Sequence, residues 1–203
     1  MRTVKRFERY RDVINEVLKG SGVAIYTAGE KENIVKKINE SIDYIESHAQ
    51  DTPYFMALAN GKLLGSECSG CGYRYASPHV YCGICGSKTE WFDLPEQGKI
   101  HCHSVSKYAG GKFFDEAPFS LILVEFEGVE SYLMAEYRSK DIMDLKIMKK
   151  EKERAGVDLE IDAEYNNKIW QVYHKIKNGS RVIPKFKKDP DFSIKDVYFV
   201  PVE

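Results

Sequence analysis

The chain has 203 residues, room for one decorated domain or two small ones. Its 30 basic and 31 acidic residues nearly cancel, so the net charge of -1 gives no reason to expect a polyanionic partner. No apolar run approaches the roughly 18 residues that a bilayer span needs. The segment "MRTVKRFERYRDVINEVLKG" also lacks the apolar centre of a secretory signal, so a cytoplasmic protein is expected.

Residues 4–19 read as an amphipathic helix, with Phe7, Tyr10, Ile14, Val17 and Leu18 at three- and four-residue spacing and Gly20 as its stop. "SGVAIYTAGE" follows as an apolar connector or strand. Residues 30–48 read as a second helix, with Ile34, Val35, Ile38, Ile42 and Ile45 on one face. "DTPYFMALANG" reads as a third, capped by Thr52, started by Pro53 and ended by Asn60-Gly61. Such stripes are ordinarily burial faces against a core or a partner.

From residue 98 the pattern changes to strands. "GKIHCHSVSKY" alternates, which puts Ile100, Cys102, Ser104 and Ser106 on one side and His101, His103, Val105 and Lys107 on the other. "YAGGKFFDEAP" is a loop rich in glycine and aromatics. "FSLILVEFEG" and "ESYLMAEYRS" are apolar strands around a turn at Gly128. Strands so closely linked suggest a small antiparallel barrel or sandwich. "DIMDLKIMKKEKERAGVDLEI" is ambiguous, part strand and part charged turn. Residues 163–177 read as a helix with Ile169, Val172, Tyr173 and Ile176 on one face, and "SRVIPKFKK" and "KDVYFVPVE" as closing strands.

Between these parts lies "CSGCGYRYASPHVYCGIC", with Cys68, Cys71, Cys82 and Cys85 in the pattern C-x2-C-x10-C-x2-C. A Cys-x-x-Cys turn sets two thiolates on one side of a tight loop. Two such turns facing each other make a sulfur tetrahedron, the geometry zinc prefers. Gly72 and Gly86 follow the second cysteine of each pair, where a bare backbone can turn N–H groups toward sulfur. The pattern is a strong signal for a zinc ribbon. Four thiolates also accept iron, and a redox dithiol is the main rival reading. Four protein ligands leave no open coordination position, so the centre is expected to be structural. His79 lies in the spacer as a further donor, but four sulfurs suffice without it. His101 and His103 share a face and lack a third ligand nearby. Cys102, the odd cysteine, is expected to be a small buried side chain.

The chain has no G-x-x-x-x-G-K-[ST] loop, no G-x-G-x-x-G after a strand and no G-x-S-x-G elbow. What it has is an order of parts. A helix "PYFMALANGKLL" leads into the cysteine segment, then come "WFDLPEQGKIHCHSVSKY", "FSLILVEFEG", "YLMAEYR" and a final "YFVPVE". This order resembles the zinc-ribbon plus OB-fold proteins often called acyl-CoA-associated and long labelled a domain of unknown function. The resemblance covers roughly residues 53–150 and the last strands.

The resemblance implies a mainly β fold with N-terminal helices, a rubredoxin-like zinc ribbon and an OB-fold barrel. It divides the chain into a helical region, 1–61, a ribbon, 62–96, and a barrel, 97–203, with a helical insertion near 151–180. It implies one structural zinc held by Cys68, Cys71, Cys82 and Cys85. It also implies a non-catalytic accessory role beside a thiolase-like catalytic subunit, in a hetero-oligomer with two copies of each chain. The active cysteine and histidine then belong to the other chain. Acyl-CoA is shared with that partner, and Lys107, Tyr108, Lys112, Phe113 and Phe114 are the candidate CoA contacts on this side. The long N-terminal region and the segment near 151–180 depart from the usual short family pattern. They are similar to extensions of small subunits that serve thiolases acting on benzoylsuccinyl-CoA. The alternative is a nucleic-acid binder, since ribbons and OB barrels both do that work. Charge weighs against it: residues 99–140 hold 5 basic and 6 acidic residues, where a binder needs a basic face.

Overall fold

The structure, a computed structural model, describes residues 23–28, 31–36, 47–109 and 116–202. The chain divides into two compact units, Met1–Ser47 and His48–Glu203. In the first, strands β1 (Val23–Ala28) and β2 (Lys31–Lys36) pair antiparallel, Ile25 opposite Ile34 and Ala28 opposite Lys31. This corrects the helix expected over 30–48 at residues 31–36, while residues 37–46 of it lie outside the described residues. Val23, Ile25, Thr27, Ile34 and Val35 are β-branched, which favours strands over a helix. The helix expected over 4–19 lies outside the described residues.

The second unit begins with helix α1 (Thr52–Ala59). Thr52, expected as its cap, is instead its first residue, and its hydroxyl donates to the Ala49 carbonyl at 2.7 Å. Asn60 ends the helix, and Gly61 follows at φ 74°. Tyr54, Phe55 and Leu58 turn inward. Next comes a three-stranded sheet in the order β4-β3-β5, built from β3 (Leu64–Cys68), β4 (Arg74–Tyr75) and β5 (Thr89–Asp93).

Five further strands close a barrel: β6 (Gly98–Ser106), β7 (Phe119–Glu125), β8 (Leu133–Tyr137), β9 (Arg181–Phe186) and β10 (Val197–Pro201). Their order is β10-β8-β7-β6-β9, with β8 and β10 parallel and the other pairs antiparallel. That is the strand order of an OB fold, here closed into a barrel. The interior is filled by Ile100, Ile122, Val124, Leu133, Ala135, Val182, Val197 and Phe199. Tyr54, Leu58, Leu63, Ala76 and Leu94 belong to the same cluster, so helix, ribbon base and barrel share one apolar core.

Between β8 and β9 the chain forms two helices, α2 (Lys140–Arg154) and α3 (Ala163–Lys175). The second was expected. The first corrects the reading of residues 141–161 as strand and charged turn. Ser139 caps it, its hydroxyl accepting from the Ile142 N–H at 3.4 Å. Ile142 and Leu145 are its buried residues, a stripe too thin to stand out among the lysines and glutamates of its other faces. The pair packs through Ile142, Leu145, Tyr165, Ile169 and Val172, and Val105 of β6 lies against both this cluster and the barrel core. Lys152 joins the helices by ion pairs to Asp162 at 3.1 Å and Glu164 at 2.7 Å.

The connection from β9 to β10 is organised by one buried carboxylate. Asp196 is 1% exposed and accepts from the N–H groups of Asp191 at 3.1 Å and Ser193 at 3.2 Å, with Lys187 Nζ at 3.3 Å. It completes a capping box with Ser193 and holds Phe192 at a φ of 56°, where a bulky residue is strained. Hydrogen bonds from the Ser193 hydroxyl and then Lys187 keep the Asp191 carboxyl well below the usual carboxylate range. A depressed carboxyl stabilises the fold above its ordinary range and loses that contribution as pH falls. Replacing Asp196→Ala leaves the Asp191 and Ser193 N–H groups without their acceptor and leaves Lys187 with Asp191 alone, at 3.1 Å. The expected cost is about 2–3 kcal/mol, read as a lower urea midpoint with an unchanged slope.

Candidate metal centre

Each Cys-x-x-Cys turn is a knuckle built the same way. The Gly72 N–H donates to the Cys68 carbonyl at 3.0 Å, and the Gly86 N–H to the Cys82 carbonyl at 2.9 Å. Both glycines sit at positive φ, 73° and 75°, which any side chain would strain. Cys68 N–H donates to the Tyr73 carbonyl at 2.9 Å, and Cys82 N–H to the Ser87 carbonyl at 2.8 Å. The first knuckle joins β3 to β4, and the second lies just before β5. They are tied by Ser69, whose N–H and hydroxyl both donate to the Lys88 carbonyl, at 3.1 and 2.8 Å.

This framework gathers the four sulfur atoms within 4.8 Å of one another. Cys68 Sγ lies 3.4 Å from Cys85 Sγ, and Cys71 Sγ lies 3.7 Å from Cys82 Sγ. A tetrahedral ion with bonds of about 2.3 Å requires sulfurs about 3.8 Å apart, so the donor set fits one such ion. Cys68 and Cys82 are buried, while Cys71 and Cys85 face outward. N–H groups point at the inner sulfurs: those of Gly70 and Cys71 at Cys68 Sγ, at 3.3 and 3.4 Å, and that of Ile84 at Cys82 Sγ, at 3.4 Å. They stabilise negative charge on sulfur. Hydrogen bonds from the Tyr75 hydroxyl, and after it from backbone N–H groups, outweigh burial and pull the Cys82 thiol down to about 6. The Ser87 hydroxyl and N–H likewise lower Cys85. Thiolate is thus favoured at Cys82 and Cys85, whereas the Cys71 thiol, despite a backbone hydrogen bond at Tyr73, is pushed up to about 12 by its bond to Cys68 and by burial.

Tyr75 is a participant that the cysteine spacing did not reveal. Its hydroxyl lies 3.3 Å from Cys82 Sγ and accepts from the Gly83 N–H at 2.9 Å. Alternation in "GYRYAS" sends Tyr73 and Tyr75 to the same side of the strand, which is the signal that could have found it. His79 stacks on the Tyr75 ring at 4.0 Å, and among the described residues the ligand cluster holds the four cysteines without it.

A β-bulge revises the reading of β6. The register with β7 shifts between Ile100 and Cys102, so the alternation changes phase at His101. His101 turns to Glu125 at 3.4 Å and stacks on Tyr132, whereas His103 reaches the Tyr173 carbonyl at 3.1 Å and Asn178 at 3.0 Å. The two histidines therefore serve different neighbours. Cys102, expected to be buried, is exposed for the same reason. It stands in one outward row with Leu123 of β7 and Met134 of β8.

Of the candidate CoA contacts, Lys107 donates to the Glu160 carbonyl at 3.4 Å, at the link between α2 and α3. Tyr108 is 74% exposed. Lys112, Phe113 and Phe114 lie outside the described residues.

No family model matches the chain. A curated relative from Methanocaldococcus jannaschii, a DUF35 domain-containing scaffold protein, is 33% identical over 67 residues, which is 32% of this chain. The chain spans about half the length of that relative, 48%. Among solved structures, the Ltp2-ChsH2(DUF35) aldolase superposes with a TM-score of 0.48 at 18% identity, covering 74% of this chain and 93% of that one. A DUF35-family protein of unknown function from Sulfolobus solfataricus gives 0.45 at 14%, covering 74% and 84%.

The purified chain is expected to carry one metal ion, measured by elemental analysis. Cys82→Ser is expected to lose it and to melt the ribbon. Acid is expected to release it as well, because protons compete with metal for the thiolates.

Proposed function

We propose that this chain is a DUF35-type protein whose four cysteines hold one structural zinc, and that it serves as a non-catalytic accessory subunit of a CoA-dependent thiolase-type complex. The observation that carries this reading is the closed sulfur cluster. Four sulfurs within 4.8 Å occupy every position of a tetrahedral ion, leaving none for a substrate. Such a centre holds a lobe in shape and leaves the chemistry to another chain.

Two further observations support it. The matched relative is described as a scaffold protein. The outer face of the barrel also carries apolar side chains where a solvated strand would be polar. Phe119, Leu121 and Leu123 alternate outward along β7 and are only half-buried, and Met134 beside them is 61% exposed. An apolar row of this kind suits a protein partner. It does not suit a nucleic acid, which needs lysine, arginine and stacking aromatics there.

In this reading the partner is a thiolase-like subunit, joined as two copies of each chain. The loop after β6 lies beside its acyl-CoA, and Lys107, Tyr108, Lys112, Phe113 and Phe114 are the contacts. Benzoylsuccinyl-CoA is the proposed substrate, cleaved by free CoA at the partner's active site.

The test is purification at low salt from cells that make the chain, with sizing and mass spectrometry of what travels with it. A stoichiometric thiolase-sized partner, cleaving benzoylsuccinyl-CoA only within the complex, is the expected result. A chain that runs alone, or a partner fully active without it, would overturn the reading. Met134→Glu adds a charge at an exposed position that the fold tolerates, and is expected to weaken the complex about tenfold or more.

A further inference from the structure

Strand β4 is short, and it is held from two directions. On its barrel side, the Arg74 N–H donates to Glu130 Oε2 at 2.8 Å, and the Glu130 N–H returns a bond to the Arg74 carbonyl at 3.1 Å. The Arg74 guanidinium donates to the Gly128 carbonyl at 3.1 Å. The Ala76 N–H donates to Ser131 Oγ at 2.8 Å. Each of these bonds joins β4 or Ala76 to the turn between β7 and β8. The residue between Arg74 and Ala76 is Tyr75, whose hydroxyl meets Cys82 Sγ. That oxygen also accepts from the Gly83 N–H, and against a Cys82 thiolate, which has no proton to give, the hydroxyl is the donor. The ring is 7% exposed and flanked by His79 at 4.0 Å and Tyr73 at 4.7 Å, which leaves it little room to swing.

We infer that Tyr75 is a positioning residue that couples the metal centre to the barrel turn at Gly128–Ser131. The inference rests on the reading of the four cysteines as a metal site. The barrel turn fixes β4, β4 fixes the Tyr75 hydroxyl, and the hydroxyl fixes one ligand sulfur and the backbone of its knuckle. The linkage is reciprocal: a bound ion strengthens the barrel's grip on β4, and a loosened grip weakens the hold on the ion. No other cysteine sulfur has a tyrosine hydroxyl as a partner among the described residues, so the coupling enters through the second knuckle.

The experiment uses the full chain loaded with zinc and challenged with a chromogenic chelator, beside a cobalt-loaded sample for its thiolate-to-metal absorption. Tyr75→Phe keeps the ring and removes the hydroxyl. It is expected to release zinc about 10-fold faster and to move the cobalt band to longer wavelength, because a thiolate without its hydrogen bond gives up charge more readily. Ser131→Ala touches no ligand, and its release is expected to be at least about 5-fold faster. Glu90→Gln, an exposed change on β5, is expected to release zinc at the native rate. If zinc is bound but Tyr75→Phe or Ser131→Ala behaves as native, the coupling is overturned while the metal reading stands. If the native chain binds no metal, the metal reading falls and the coupling with it.

Discussion

The arrangement around the ribbon depends on one constraint: four sulfurs that would repel one another as thiolates are held within a few ångströms. Two turns with left-handed glycines create that crowding, and N–H and O–H groups aimed at the inner sulfurs make it tolerable. A lobe of this size buries too little apolar surface to hold such a cluster by packing alone. In the proposed metal-loaded state, an ion at the centre would turn that repulsion into attraction. The ribbon can then offer Tyr75, Ala76 and Leu94 as a firm base against the barrel. The core runs without a break from Tyr54 through Ala76 and Leu94 to Phe199, so the ribbon base and the barrel are packed as one.

The barrel answers with a turn that behaves almost as an extra strand. Glu130 and Arg74 exchange backbone and carboxylate bonds, and Ser131 accepts from Ala76, so the edge of the ribbon sheet does not end in unpaired N–H groups. The same contacts lie next to Tyr132, just before β8, and Met134 on its exterior. The ribbon therefore braces one margin of the apolar outer face. Val105 does comparable work at the helical end, where it touches both the barrel interior and the α2–α3 cluster.

Much of this was legible in the sequence. The cysteine spacing announced the cluster because knuckle geometry is local and its glycines sit at fixed offsets. The barrel strands were legible because apolar alternation with short links leaves few alternatives, and α3 because its stripe is wide. The failures have physical causes. Ile34 and Val35 fit a helix face by spacing, but β-branched residues on both sides of the pairing favour strands. Helix α2 hid because Ile142 and Leu145 are its only buried residues. Alternation along β6 failed at a single bulge, which inverted the orientation of every residue after His101, Cys102 included. Tyr75, Glu130 and Ser131 could not be joined by inspection, because more than fifty residues separate the two sides of their contact.

The topology has a consequence for how the molecule is made. The barrel closes only when β10 slides between β8 and β9, and its parallel contact with β8 joins Tyr198 to Glu136 and Phe199 to Tyr137 across some sixty residues. During synthesis, β6, β7 and β8 must wait as an open sheet while both helices and β9 leave the ribosome. The ribbon needs nothing beyond Asp93 to complete its sheet, so it can capture its ion while the barrel is still incomplete. A metal-loaded ribbon already gripping the turn between β7 and β8 would hold the nascent sheet in register until its last strand arrives.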